Sequence, residues 1–135
     1  MKRSLQVILG VLSLLPLVIG TLGLVHGASL LASTETVAPR LDSQYRFMSA
    51  WDIGLAVIVW WIIPRVEHET HLFRIVSGAV CLGGVGRLVA WRVTGSPGWA
   101  FLVVMTIELL VPLLIPWQAH LAREAGRLSG ERQPP

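Results

Sequence analysis

The chain has 135 residues, of which 53% are hydrophobic and 14% are charged, whereas ordinary soluble domains carry about 25% charged residues. A soluble domain this small has much surface to cover, so the composition excludes that class and indicates an integral membrane protein. The formal net charge is only +3. The basic residues lie mostly at the ends of apolar runs, which is typical of membrane topology and argues against a nucleic-acid partner.

Four apolar runs follow one another along the chain, each close to the ~20 residues that a helix needs to cross the hydrocarbon core. They predict helices at about 5–25, 45–63, 72–92 and 97–117. The first run has an alternative interpretation as a signal peptide, but it is longer than the usual apolar stretch of about 7–15 residues. We therefore expect it to be retained as a helix.

These runs predict an all-α fold, an integral membrane antiparallel four-helix bundle. The bundle would form a single domain over residues 1–120, followed by a polar C-terminal tail over residues 121–135. Membrane lipid is the expected surrounding partner, and the sequence leaves the oligomeric state open.

Lysine and arginine residues near the helix ends predict the orientation, because they favour the cytoplasmic side. With the N-terminus inside, seven fall on the inner side and three on the outer side, and Arg87 lies within a span. The inner set is Lys2, Arg3, Arg65, Arg74, Arg123, Arg127 and Arg132, and the outer set is Arg40, Arg46 and Arg92. We predict that both termini are cytoplasmic.

Charged residues inside the apolar runs are the main functional signal. Asp52, Arg87 and Glu108 lie within predicted spans, and Arg46 lies at the outer mouth. An unpaired charge at the centre of a spanning helix costs about 3 kcal/mol on insertion scales, so we expect these side chains to pair. At ~1.5 Å rise per residue, Asp52 and Arg87 both lie about 8–9 Å below the outer interface. The planar fork of Arg87 could therefore bridge Asp52 and Glu108.

The backbone around these charges is also unusual. Pro112 lacks the N–H that would bond the carbonyl of Glu108, which predicts a kink in the fourth helix just inward of Glu108. The third run is rich in small residues, among them Gly83, Gly84 and Gly86, and small residues allow close approach of a neighbouring helix or ligand.

Five motifs occur in order along the chain. They are Tyr45-Arg46-Phe47, Asp52-x-Gly54, Gly83-Gly84-Val85-Gly86-Arg87-Leu88, Glu108-Leu109 with Pro112, and Trp117-Gln118. Together they resemble the bacterial family known as domain of unknown function 4345, over roughly residues 5–120. The resemblance implies a small membrane protein of four helices, located in the bacterial cytoplasmic membrane. Because the family has no assigned activity, it implies no catalytic residue.

The charges support three functional hypotheses. In the first, Arg46, Asp52, Arg87 and Glu108 bind a small amphipathic or lipid-like ligand. In the second, the protein is a cofactor-free membrane enzyme with isomerase-like or cyclase-like acid–base chemistry, in which Glu108 and Asp52 are the candidate catalytic residues. In the third, the protein is a structural membrane subunit without a ligand, and the charges pair only to stabilise its helix packing. We expect no metal site, because the histidines of EHETH, residues 67–71, are spaced at i and i+3 rather than at the i and i+4 of a metalloprotease helix.

Overall fold

A computed structural model describes residues 2–31 and 36–130, and within these ranges every regular element is a helix. The elements in chain order are α1 (Lys2–His26) with a 3-10 turn (Gly27–Leu30), α2 (Pro39–Ile62) with a 3-10 turn (Ile63–Arg65), α3 (Thr70–Thr94), α4 (Trp99–Leu110), a 3-10 turn (Val111–Leu113) and α5 (Leu114–Gly130).

Four stretches of the described residues are long and apolar enough to cross a membrane. They are Lys2–Leu30, Pro39–Arg65, Thr70–Thr94 and Trp99–Arg127. Large apolar side chains remain exposed along these stretches, for example Ile75 (68%) and Leu82 (71%). Water would oppose such exposure over whole helices, whereas lipid accommodates it. The predicted all-α fold with four spans is thus confirmed, and the protein is a small four-helix membrane protein; the cytoplasmic location of the termini stays a prediction.

The helix boundaries differ from the predicted ones where polar residues extend an apolar run. α2 begins at Pro39 rather than near residue 45, because proline suits the first turn of a helix and the Ala38 carbonyl accepts the amides of Leu41 and Asp42. α5 continues through Gly130, into residues that the sequence predicted as a polar tail. The rest of that predicted tail, 131–135, lies outside the described residues.

The fourth span starts and breaks at particular residues. It begins at Trp99, so Pro97 precedes the helix instead of opening it, and Gly98 adopts a φ of +95° at the junction. Near Pro112, where a kink was predicted within one helix, the structure has a 3-10 turn that separates α4 from α5. Proline cannot donate the hydrogen bond that would continue the α-helix.

The helices form two compact units. The α1–α2 unit comprises Arg3–Pro64. The α3–α5 unit comprises Lys2 and the described residues from Arg65 onward. In the α1–α2 unit, Ser13 contacts Trp60 and Gly20 lies against Ser49, so α1 and α2 run antiparallel. In the other unit, Arg87 contacts Glu108 and Thr70 contacts Gln118, so α3 runs antiparallel to the span formed by α4 and α5.

Glycines bring α1 and α2 into close contact. Gly20, Gly23 and Gly27 recur on one face of α1 and its following turn, and all three are buried. A Cβ on Gly20 would lie 2.6 Å from the Ser49 carbonyl oxygen, and a Cβ on Gly23 would overlap the Ser49 hydroxyl oxygen. The two backbones therefore approach in the way that small residues allow in membrane helix pairs.

Two side-chain hydrogen bonds join the other half of the same helix pair. The Trp60 indole N–H donates to Ser13 Oγ over 2.8 Å, and Gln6 Nε2 donates to the Ile63 carbonyl over 2.9 Å. Ile63 follows the last residue of α2, so Gln6 supplies a donor where the helix no longer offers one.

The close packing predicts that Gly23→Ala lowers the free energy of unfolding by about 1–3 kcal/mol, because the new methyl group overpacks the contact with Ser49. Gly10→Ala is the matched control on the same helix, since a Cβ there meets nothing within 4 Å. It should be neutral or slightly stabilising. Equilibrium unfolding in detergent micelles measures both, and equal stability of the two variants would contradict the glycine contact.

Candidate functional site

An ion pair joins α3 to α4 inside the apolar span. Arg87 Nε lies 2.9 Å from Glu108 Oε2 and 3.2 Å from Oε1, and it donates to both oxygens. Arg87 lies about 10 Å along the helix from the end of α3, and Glu108 about 14 Å from the start of α4. Two of the four predicted site residues are therefore paired well within the span.

Gly84 makes this pairing possible. It is buried one turn before Arg87 on α3. A Cβ at Gly84 would lie 3.0 Å from Glu108 Cβ and 3.1 Å from Leu109 Cγ. The glycine thus lets α4 come close enough for the short contact between Arg87 Nε and the Glu108 carboxylate.

The pair is unevenly buried. The side chain of Glu108 is 19% exposed, whereas that of Arg87 is 38% exposed. The Arg87 guanidinium carbon also lies 5.9 Å from the centre of the Phe101 ring, within the range of an attractive cation–π contact. Because Glu108 is bound through Nε, the contact does not use the donors on the two terminal nitrogens of Arg87.

Arg46 lies in the α1–α2 unit, in a different arrangement. Its Nε donates to Asp42 Oδ2 over 2.8 Å, and its Nη1 donates to the carbonyls of Leu24 (2.6 Å) and Val25 (3.0 Å). The other Asp42 oxygen, Oδ1, accepts the Ala28 amide over 2.8 Å. Together, Asp42 and Arg46 satisfy backbone groups that the end of α1 leaves without helical partners.

Gly27 lies beside the same two side chains. Its φ of +68° is a left-handed conformation that suits glycine at a helix end. A Cβ there would overlap Asp42 Oδ1 and lie 2.7 Å from an Arg46 terminal nitrogen. Asp42, Arg46 and Gly27 form a helix cap by their geometry. We call them the outer cluster, after the side of the membrane on which the predicted orientation would place them.

Asp52 lies two turns further along α2 than Arg46. Its Cβ would be 3.0 Å from a Cβ on Gly20. Ser49, between the two charged residues in sequence, is buried and donates its hydroxyl to the Tyr45 carbonyl over 2.8 Å. Asp52 and Arg87 belong to different units, so the predicted pairing of Asp52 with Arg87 stays a prediction.

A comparison with known protein families assigns the chain to one of them. The model of the family described as Domain of unknown function (DUF4345) matches residues 4–118. The chain belongs to this family. No match was found among curated proteins or among solved structures. The family carries no assigned activity, so the function of this DUF4345 member has to be argued from its own residues.

Several residues around the sites of this DUF4345 member were not predicted from sequence. Asp42 lies outside the apolar run, where a carboxylate looks like ordinary surface charge. Phe101 looked like one more apolar residue of the fourth span. Gly20, Gly23 and Gly27 do carry a signal, because glycines at i, i+3 and i+7 share a helix face. Among the described residues, no group of three histidine, cysteine or acidic side chains could hold a metal.

We predict that the side chains of Arg87 and Glu108 are energetically coupled. In a double-mutant cycle of Arg87→Gln and Glu108→Gln, the coupling should be about 1 kcal/mol, as for polar contacts between membrane helices. The control pair is His120 and Glu124 on α5, which are 3.2 Å apart and mostly exposed, and for which about 0.5 kcal/mol or less is expected. Unfolding in detergent measures both cycles; equal couplings would contradict a specific pair.

We also predict that the outer cluster protects the end of α1. Arg46→Lys keeps the charge but replaces the planar fork by a single ammonium, which cannot reproduce the contacts to Asp42 and both carbonyls. Amide hydrogen exchange measured by mass spectrometry should therefore accelerate around residues 24–31. Arg40→Lys, an exposed position on the same helix, is the control. Unchanged exchange at Ala28 in the Arg46 variant would remove the capping role.

Proposed function

We propose that this protein binds a small amphipathic molecule whose polar head group is held by Arg87 in the α3–α5 unit. One observation carries the proposal. Arg87 is ion-paired deep in an apolar span, yet 38% of its side chain remains exposed. An arginine with a purely structural role inside the membrane would be expected to be covered by its partners, since exposure to hydrocarbon is costly.

The geometry favours a particular head group. Arg87 and Glu108 carry opposite charges, so the pair is neutral, and a neutral oxygen acceptor adds no net charge to the site. A carbonyl or ester oxygen can accept hydrogen bonds from the terminal nitrogens of the guanidinium group. We therefore favour a carbonyl-bearing head group over a free anion.

The surroundings of Arg87 suit an apolar chain beside that head group. Gly83 and Gly86 are exposed, and a Cβ at either position would meet nothing within 4 Å. Further around α3, beyond Gly86, Leu82 and Val89 are largely exposed apolar side chains. A chain lying here would contact small and apolar groups while its carbonyl reaches Arg87.

The other predicted site residues have a smaller part in this proposal. Arg46 already makes the contacts of the outer cluster, and Asp52 lies in the α1–α2 unit. Their participation in ligand binding stays a prediction, as does the enzyme hypothesis with Glu108 and Asp52 as acid and base.

We also propose the bacterial cytoplasmic membrane as the location, with both termini inside, because seven basic residues against three favour that orientation.

The first experiment identifies the small molecules that copurify with the protein. Wild-type protein, Arg87→Gln and Arg92→Gln are purified in a mild detergent, and small molecules are extracted and identified by mass spectrometry. Arg92 is the matched control, because it is an exposed arginine in the last turn of α3. We expect a carbonyl-bearing amphiphile that is enriched in wild type and Arg92→Gln and reduced about tenfold in Arg87→Gln, which corresponds to about 1.4 kcal/mol. The same molecules in all three preparations would favour the structural subunit.

The second experiment tests the head group directly. A diazirine-labelled oleoyl ester is photo-crosslinked to the protein in detergent, and the crosslinked peptide is mapped. We expect labelling near residues 82–89. A decrease of this labelling with added methyl oleate, but not with added 1-octadecene, would support recognition of the carbonyl. Equal competition by the two would show that only the apolar chain is bound, and labelling that Arg87→Gln leaves unchanged would remove Arg87 from the site.

A further inference from the structure

The Trp117-Gln118 motif contains polar atoms that the proposed ligand site does not use. Among buried side-chain nitrogens and oxygens of the described residues, Trp117 Nε1 and Gln118 Oε1 lack a hydrogen-bond partner. Gln118 is 0% exposed. Buried polar groups are normally satisfied, so each of these two atoms calls for a partner.

The contacts of Gln118 fix which end of its amide is unsatisfied. Nε2 donates to the Val66 carbonyl over 2.8 Å and to Thr70 Oγ1 over 3.0 Å. If the amide were reversed, its oxygen would face the Val66 carbonyl oxygen, and neither atom can donate. Oε1 is therefore the free end, and it can only accept a hydrogen bond.

The two unsatisfied atoms are complementary. Trp117 Nε1 can only donate a hydrogen bond, and Gln118 Oε1 can only accept one. A partner for both must accept from one atom and donate to the other, which a single water molecule does. Buried waters in proteins typically make about three hydrogen bonds to groups that would otherwise be unsatisfied.

We propose that an ordered internal water is bound in the α3–α5 unit, where it accepts from Trp117 Nε1 and donates to Gln118 Oε1. This hydration site is separate from Arg87, because Gln118 lies ten residues beyond Glu108, about 15 Å along the helix axis. By satisfying Gln118, the water supports the contacts that hold Val66 and the first residue of α3, Thr70, against α5.

Water-edited solid-state NMR tests the site, with the transfer rates read from the wild-type protein and variants used to assign its signals. The protein is labelled with ¹³C,¹⁵N-glutamine and ¹⁵N-tryptophan and reconstituted in phosphatidylcholine liposomes, and magnetisation transfer from water to the side chains is measured. Trp60 is the control indole, since its N–H already donates to Ser13 Oγ. Gln6 is the control amide, since its Nε2 donates to the Ile63 carbonyl. Signals are assigned from Trp117→Phe and Gln118→Met.

We expect transfer to Trp117 Nε1 and to the Gln118 amide to be several times faster than to the two controls. Transfer no faster than at Trp60 and Gln6 would overturn the hydration site. Trp117→Phe tests the sharing of one water, because it removes the donor and keeps an aromatic ring. Slower transfer to Gln118 in this variant supports a shared water, whereas unchanged fast transfer would overturn the shared arrangement.

Discussion

In a hydrocarbon environment, polar groups must find their partners within the protein, since lipid offers none. The described contacts follow this constraint. Gln6 reaches the Ile63 carbonyl and Gln118 reaches the Val66 carbonyl, in both cases where a helix has ended and its carbonyls lack donors. Arg87 Nε and the Glu108 carboxylate pair with each other. The presence of these polar side chains in an apolar chain is therefore largely explained by the groups to which they hydrogen-bond.

Glycines lie opposite acidic side chains of the neighbouring helix. A Cβ at Gly27 would meet Asp42, one at Gly20 would meet Asp52, and one at Gly84 would meet Glu108. An acidic side chain on one helix thus faces a glycine on its neighbour three times, in both units. The glycine removes the bulk that would hold the helices apart, so the acidic side chain can lie directly against the backbone of the neighbouring helix.

The sequence predicted well what depends on hydrophobic length and charge. The four spans follow from apolar runs, and the departure from a regular α-helix near Pro112 follows from a missing N–H. The contact of Arg87 with Glu108 agrees with the expectation that charges inside a span pair, whereas matched depth had indicated Asp52 as the partner of Arg87. It predicted poorly what depends on contacts between distant residues. Asp42 could not be recognised as a helix cap, because its partners at Leu24, Val25 and Ala28 come close only after α1 and α2 pack.

The contrast between the two arginines explains why the binding proposal rests on one of them. Arg46 donates to a carboxylate and to two backbone carbonyls, and releasing any of these for a ligand would uncap α1. Arg87 is joined to Glu108 through Nε, so a ligand can approach its terminal nitrogens without disturbing that pair. Gly83 and Gly86 leave open space on the same helix. The physical cost of recruiting Arg87 is therefore lower, which is why we place the head group of the ligand there.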